Sequence, residues 1–174
     1  MDTSRRRFLA GRNAKTTAPF RPPWSLPEHQ FTELCSFCDD CLRACPTTLL
    51  QRGEGGFPVA DFSRSACSFC ADCVRACPSG ALARRVGQAP WHYGIRIAAN
   101  CLPQQGVECR VCGEICDSAA IRFRPRSGGN ALPEVDLSSC SGCGACLAPC
   151  PVLAIERVAL PEIPLASKPA AEYV

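Results

Sequence analysis

The chain has 174 residues, 16 of them cysteine, and a formal net charge of +3 with neutral thiols. Cysteine at about 9 % reaches the level of a cysteine-built scaffold, and so small and dispersed a charge argues against nucleic-acid binding. No run approaches the ~20 apolar residues of a spanning helix, and two histidines, two tryptophans and two tyrosines leave little for acid–base chemistry, so neither a membrane span nor an enzyme is expected.

Residues 1–28 begin with Ser4-Arg5-Arg6-Arg7-Phe8-Leu9-Ala10 and end around Pro22, Pro23 and Pro27. They are read as a basic, proline-rich arm that forms no core. The arginine run resembles a twin-arginine export motif. Such a signal needs an apolar h-region, and Gly11-Arg12-Asn13-Ala14-Lys15-Thr16-Thr17 follows instead, so export is not expected.

Four cysteine motifs come next. Residues 35–46 read CSFCDDCLRACP and residues 67–78 read CSFCADCVRACP, with ten of twelve positions identical at an offset of 32. Between them lies LLQRGEGGFPVADF, two short strand-like runs around a glycine-rich turn, which predicts a β-hairpin. The following link, ALARRVGQAPWHYGIRIAAN, holds a Trp91-His92-Tyr93 cluster and reads as the joint between two halves. The third motif is altered: Cys109, Cys112 and Cys116 keep their places, Gly106 occupies the first slot, and Asp117 replaces the proline. Cys101, five residues before Gly106, is the spare cysteine that can substitute. A second hairpin is expected in AIRFRPRSGGNALPEVDL, ahead of the fourth motif CSGCGACLAPCP at 140–151. Residues 161–174 read as a tail. The expected organisation is an arm at 1–28, one module at 29–86, a second at 87–160, and the tail.

Disulfides, zinc and iron–sulfur clusters compete for so many cysteines. Disulfides need an oxidising compartment. Structural zinc sites use two ligand pairs split by a longer loop, whereas here four cysteines fall within eleven residues, three times, each followed by proline. The run C-x2-C-x2-C-x3-C-P is the bacterial [4Fe–4S] signature, in which the fourth cysteine ligates the other cluster of a pair. The cross-over rule assigns Cys35, Cys38, Cys41 and Cys77 to a first cluster and Cys67, Cys70, Cys73 and Cys45 to a second. It assigns Cys101, Cys109, Cys112 and Cys150 to a third, and Cys140, Cys143, Cys146 and Cys116 to a fourth. The hairpins favour this pairing, but motif two with motif three remains open, and the third site could hold a three-iron cluster or nothing. Four cubes, each about −2 with its thiolates, would take the protein from +3 to about −5. The fold class is therefore α+β: tandem bacterial two-[4Fe–4S] ferredoxin-like modules, a polyferredoxin of small strands and short helices.

Other residues receive plainer readings. Phe37 and Phe69, inside the loops, are expected to pack a small core more than to tune a cluster. Asp40 and Asp72 read as solvated loop carboxylates, and His92 as part of the joint. Gly142 and Gly144 let the fourth loop wrap tightly.

The SRRRFLAGR start, the RPPW element (Arg21 to Trp24), LLQRGEGG (Leu49 to Gly56), CSFC (Cys67 to Cys70), the altered third motif and CSGCGAC together resemble the NapF-type ferredoxin-like accessory proteins of periplasmic nitrate reductase systems. The resemblance covers nearly the whole chain. It implies a cytoplasmic protein that binds the precursor of NapA, the catalytic subunit, and helps mature it before export. A ferredoxin-type electron carrier for a redox enzyme is the alternative.

Overall fold

Cysteines two and three residues apart leave room for only one turn of helix, so motifs one, two and three fold as a loop followed by a four-residue helix, and motif four as a loop followed by a turn. In the computed structural model the described residues are 19–160; the arginine-rich start and the tail 161–174 lie outside them. Helix α1 covers Glu28–Leu34, and the motif helices are α2 (Asp40–Arg43), α3 (Asp72–Arg75) and α4 (Val111–Glu114). Asp40 pairs with Arg43 and Asp72 with Arg75 across one turn. The recurring carboxylates thus pair with the last residue of their own helix, on its exposed face, where such pairs contribute little stability.

Both expected hairpins are present. Strands β1 (Leu50–Arg52) and β2 (Pro58–Ala60) pair antiparallel, with Leu50 opposite Ala60. In the second half, β4 (Ile121–Arg126) pairs with β5 (Gly129–Val135), Ile121 opposite Val135, and the register breaks between Arg124 and Arg126. Pro125 sits at that break, where a missing N–H is tolerated.

The halves close differently. The second is closed by β3 (Tyr93–Ile97) against β6 (Ile155–Ala159), antiparallel, with Ile97 opposite Ile155. In the first, the same position shrinks to a bridge between Ser25 and Leu82, flanked by Leu26 N–H to Ala81 C=O (3.1 Å) and Ala83 N–H to Trp24 C=O (2.9 Å).

That bridge corrects the reading of residues 19–28 as part of a free arm. Trp24 is only 2 % exposed, and Pro22 is fully buried. The Trp24 N–H bonds Pro90 C=O and its indole N–H donates to Gln88 C=O, while the Trp91 indole donates to Arg21 C=O. Arg21 forks onto Glu28 and lies 5.0 Å from the ring centres of Phe31 and Phe57. Its hydrogen bond holds the Glu28 carboxyl below its ordinary range. These prolines signal an extended segment, and its partners lie some 35 to 70 residues away, beyond any local pattern.

One core, around Phe31, Leu49, Phe62, Leu82 and Tyr93, takes residues from both halves. A smaller one forms around Ile95, Ile121 and Cys146. Removing a buried aromatic leaves a cavity, and Trp24→Ala should destabilise the protein by about 3–5 kcal/mol. Circular dichroism in urea, read without oxygen, checks this through a lower midpoint.

Candidate metal centres

Three of the four loops share an unusual backbone. The third and fifth residues of motifs one, two and four all have positive φ: Phe37 (58°) and Asp39 (61°), Phe69 (58°) and Ala71 (59°), Gly142 (76°) and Gly144 (77°). Left-handed residues inside a short loop turn successive N–H groups toward a common side, forming a concavity suited to negative charge. The altered third loop lacks this pattern, since Arg110 has φ −133°. A 3-10 turn at Leu102–Gln105 replaces it, stopped by Gly106 at φ 82°. The Gln104 and Gln105 N–H groups bond Cys101 C=O at 2.9 and 3.2 Å. The turn folds Cys101 back over the extra residues, and the Cys101 side chain is buried.

The chain brings the cysteines into the expected company. One cavity, about 360 Å³ counting its open mouth, is lined by Cys35, Cys38, Cys41 and Cys77 with Phe31, Phe37, Pro58 and Leu82. A second of like volume is lined by Cys101, Cys109, Cys112 and Cys150 with Ile97, Phe123 and Ile155. In each, three thiols come from one motif and the fourth from its neighbour. The remaining groups appear through their electrostatics. Burial first, and then proximity to Cys45 and Cys70, push Cys67 and Cys73 up to about 12. Burial, together with the neighbouring Cys143 and Cys140, likewise raises Cys146 to about 12. Cys116 packs with Cys140 and Cys146 in the smaller core.

The donors in each cavity are all thiols and the walls largely apolar. Among the described residues, no three His, Cys, Asp or Glu side chains close on a point that one metal ion could occupy. A tetrahedral zinc needs sulfurs about 2.3 Å from one centre, whereas a cube spreads four thiolates over its corners. The residues present fit an iron–sulfur cube: soft donors, apolar lining and inward-turned amides.

Sequence reasoning missed the hydroxyls beside the fourth cysteines. Thr47, Ser79 and Ser118 each lie 3.6 Å, oxygen to sulfur, from Cys45, Cys77 and Cys116. Burial raises Cys45 and Cys77, but these hydroxyls and nearby backbone N–H groups outweigh it and leave both thiols below their ordinary range. The signal was there to read: a hydroxyl residue stands two places after the fourth cysteine in three motifs, and Val152 in the last. Phe37 packs at a tilt against Phe57, ring centres 4.5 Å apart, while remaining 45 % exposed, so it both packs and lines the first cavity. His92 is exposed; its neighbours Trp91 and Tyr93 form the joint.

These loops and their partner cysteines define a class of protein. The family of 4Fe-4S dicluster domains matches residues 34–81 and 107–154, one match spanning motifs one and two, the other spanning motif four and Cys109, Cys112 and Cys116 of motif three. The ferredoxin-type protein NapF of Escherichia coli (strain K12) is 44 % identical over 155 residues, spanning 89 % of this chain and 94 % of that protein. NapF of Haemophilus influenzae is 44 % identical over 161 residues, 87 % of this chain and 91 % of its own. The methylamine utilization ferredoxin-type protein MauM of Methylophilus methylotrophus is 30 % identical over 155 residues, 79 % and 69 % of the two chains. The chain is an iron–sulfur protein of the dicluster ferredoxin class. Within that class it belongs to the NapF-type ferredoxin family.

The raised thiols carry a pH dependence. Each must lose its proton to bind a cation, so metal uptake by the cysteine sets should release protons and strengthen as pH rises. In metal-free chain the sign reverses. Values raised toward 12 favour the folded state only while the thiols are protonated, so that contribution is present below the ordinary thiol range and is lost as pH climbs through about 12. Proton release during anaerobic reconstitution with iron and sulfide, followed in weak buffer at two pH values, checks the first statement.

Proposed function

We propose that each of the four cysteine sets holds a [4Fe–4S] cube. We further propose that the protein assists, in the cytoplasm, the maturation of NapA, the catalytic subunit of periplasmic nitrate reductase, before its export, by delivering clusters or electrons. It is not itself an enzyme. The observation that carries the reading is the convergence of four thiols from two motifs on one cavity, twice, in a chain 44 % identical to NapF proteins along most of its length. When bound, a cube supplies one-electron redox capacity. The chain's share is to bring deprotonated thiols together, line them with apolar side chains and aim amide and hydroxyl hydrogens at sulfur, all of which set a cluster's potential.

Among the described residues no helix is long and apolar enough to cross a membrane. A NapA precursor has two surfaces to engage: the arginines Arg5, Arg6 and Arg7, and the cluster-bearing body. The similarity to MauM, named for methylamine utilization, favours a second reading in which the framework is a general electron carrier.

Anaerobic protein should carry about sixteen iron and sixteen acid-labile sulfide, four of each per cube. Cys101→Ala should lower both to about twelve by emptying the third set alone. Stoichiometric zinc without iron would end the reading.

The partner is tested by capture. Cofactor-poor NapA precursor should bind better than mature NapA, and replacing Arg5, Arg6 and Arg7 should weaken capture in a salt-dependent way. Equal binding of mature enzyme, or fully active new NapA in cells lacking this protein, would favour the electron-carrier reading instead.

A further inference from the structure

Two of the four loops touch. The Cys67 N–H in motif two donates to Cys143 C=O in motif four, at 2.9 Å. The two residues belong to different halves of the chain and to different cysteine sets, the second and the fourth. The first and third sets line the separate open cavities described above.

The contact is built rather than incidental. Phe20, Phe62, Trp91 and Tyr93 pack as one aromatic group with ring centres 4.7 to 6.2 Å apart. Arg157 of β6 lies over it, 4.3 Å from the Phe20 ring centre and 5.6 Å from that of Phe62. The Tyr93 hydroxyl donates to Gly142 C=O inside the fourth loop. A Cβ at Gly144 would sit 2.2 Å from Cδ1 of Phe62, a ring only 5 % exposed and unable to swing aside.

The loop conformation does not by itself explain that glycine. Positions matching Gly144 in motifs one and two are Asp39 and Ala71, in the same left-handed conformation at φ 61° and 59°. A side chain is therefore tolerated at this point of the wrap. Residue 144 differs because Phe62 of the first half lies against it.

We propose that Gly144, Phe62 and Tyr93 are positioning residues that hold the second and fourth cysteine sets side by side, so that the four clusters form one row in the order first, second, fourth, third. This rests on the reading that the sets hold clusters. The row differs from chain order and puts the altered third site at an end, where its loss leaves the other three in sequence.

The test compares full-length parent protein with Gly144→Ala, Gly142→Ala and Tyr93→Phe, prepared without oxygen and reduced with dithionite. A Cβ at Gly142 would share the positive φ, 76°, but meet nothing closer than 3.7 Å. It therefore reproduces the strain without the clash. Low-temperature electron paramagnetic resonance of the parent should show broadening from interacting clusters. Gly144→Ala should narrow it toward the spectrum of two independent cluster pairs, with iron content unchanged, while Gly142→Ala keeps the parent's broadening. Hydrogen exchange at the Cys67 amide should rise about tenfold in Gly144→Ala, as one backbone hydrogen bond weakens.

Unchanged broadening and a protected Cys67 amide in fully loaded Gly144→Ala would overturn the proposal. So would equal effects of the two glycine variants, which would assign the loss to backbone strain. Should Gly144→Ala lose iron, Tyr93→Phe decides in the same way: its ring stays, its bond to the fourth loop goes, and an unaltered spectrum and amide overturn the proposal. Parent protein without iron would instead refute the cluster reading, with the exchange of Cys67 still reporting whether the loops touch.

Discussion

Four thiols gathered into one largely apolar space are unstable company. Burial, with the neighbouring thiols adding to it, pushes Cys67, Cys73 and Cys146 up to about 12. Only a cation can relieve both effects at once. Much else in the chain follows from that constraint: loops whose amides turn inward, helices of a single turn, and hairpins that bring the fourth cysteine of one motif to the next. Each half is too small to build a large core of its own, so metal binding is expected to contribute folding free energy.

The altered third motif shows how much variation the constraint tolerates. Losing the first cysteine to Gly106 also loses the left-handed wrap of the loop, but a 3-10 turn carries Cys101 into the vacated corner. The hydroxyl beside the fourth cysteine is present for Cys45, Cys77 and Cys116 and absent for Cys150, where Val152 takes its place. Hydrogen bonds to sulfur are among the factors that set cluster potentials, so the four sites are built as similar cages with different electrostatics. The third departs twice, in its loop and in this partner.

The joint between the halves is tighter than a linker. Trp24, Trp91 and Tyr93 tie the RPPW element, the link and the fourth loop together through backbone carbonyls. Phe20 and Phe62 from the first half share a ring cluster with Trp91 and Tyr93 of the link, under Arg157 from the last strand. Two copies of a duplicated module have thus become one body with a defined internal contact.

The cysteine spacing by itself determined the class of site and suggested a grouping of ligands, because cluster ligation is a local demand written in intervals of two and three residues. Turn glycines are local too, and the β1–β2 and β4–β5 connections were legible from them. What only the tertiary structure decided is non-local. Residues 20–26 read as an arm because their partners, Pro58, Ala81, Gln88 and Pro90, lie far along the chain and leave no period in the sequence. Gly144 looked like a wrapping glycine until Phe62 was seen against it, and nothing in the order of the motifs put the second beside the fourth. Ligand spacing is a property of the backbone within one loop; which loops face each other depends on the side chains of the whole chain packing together.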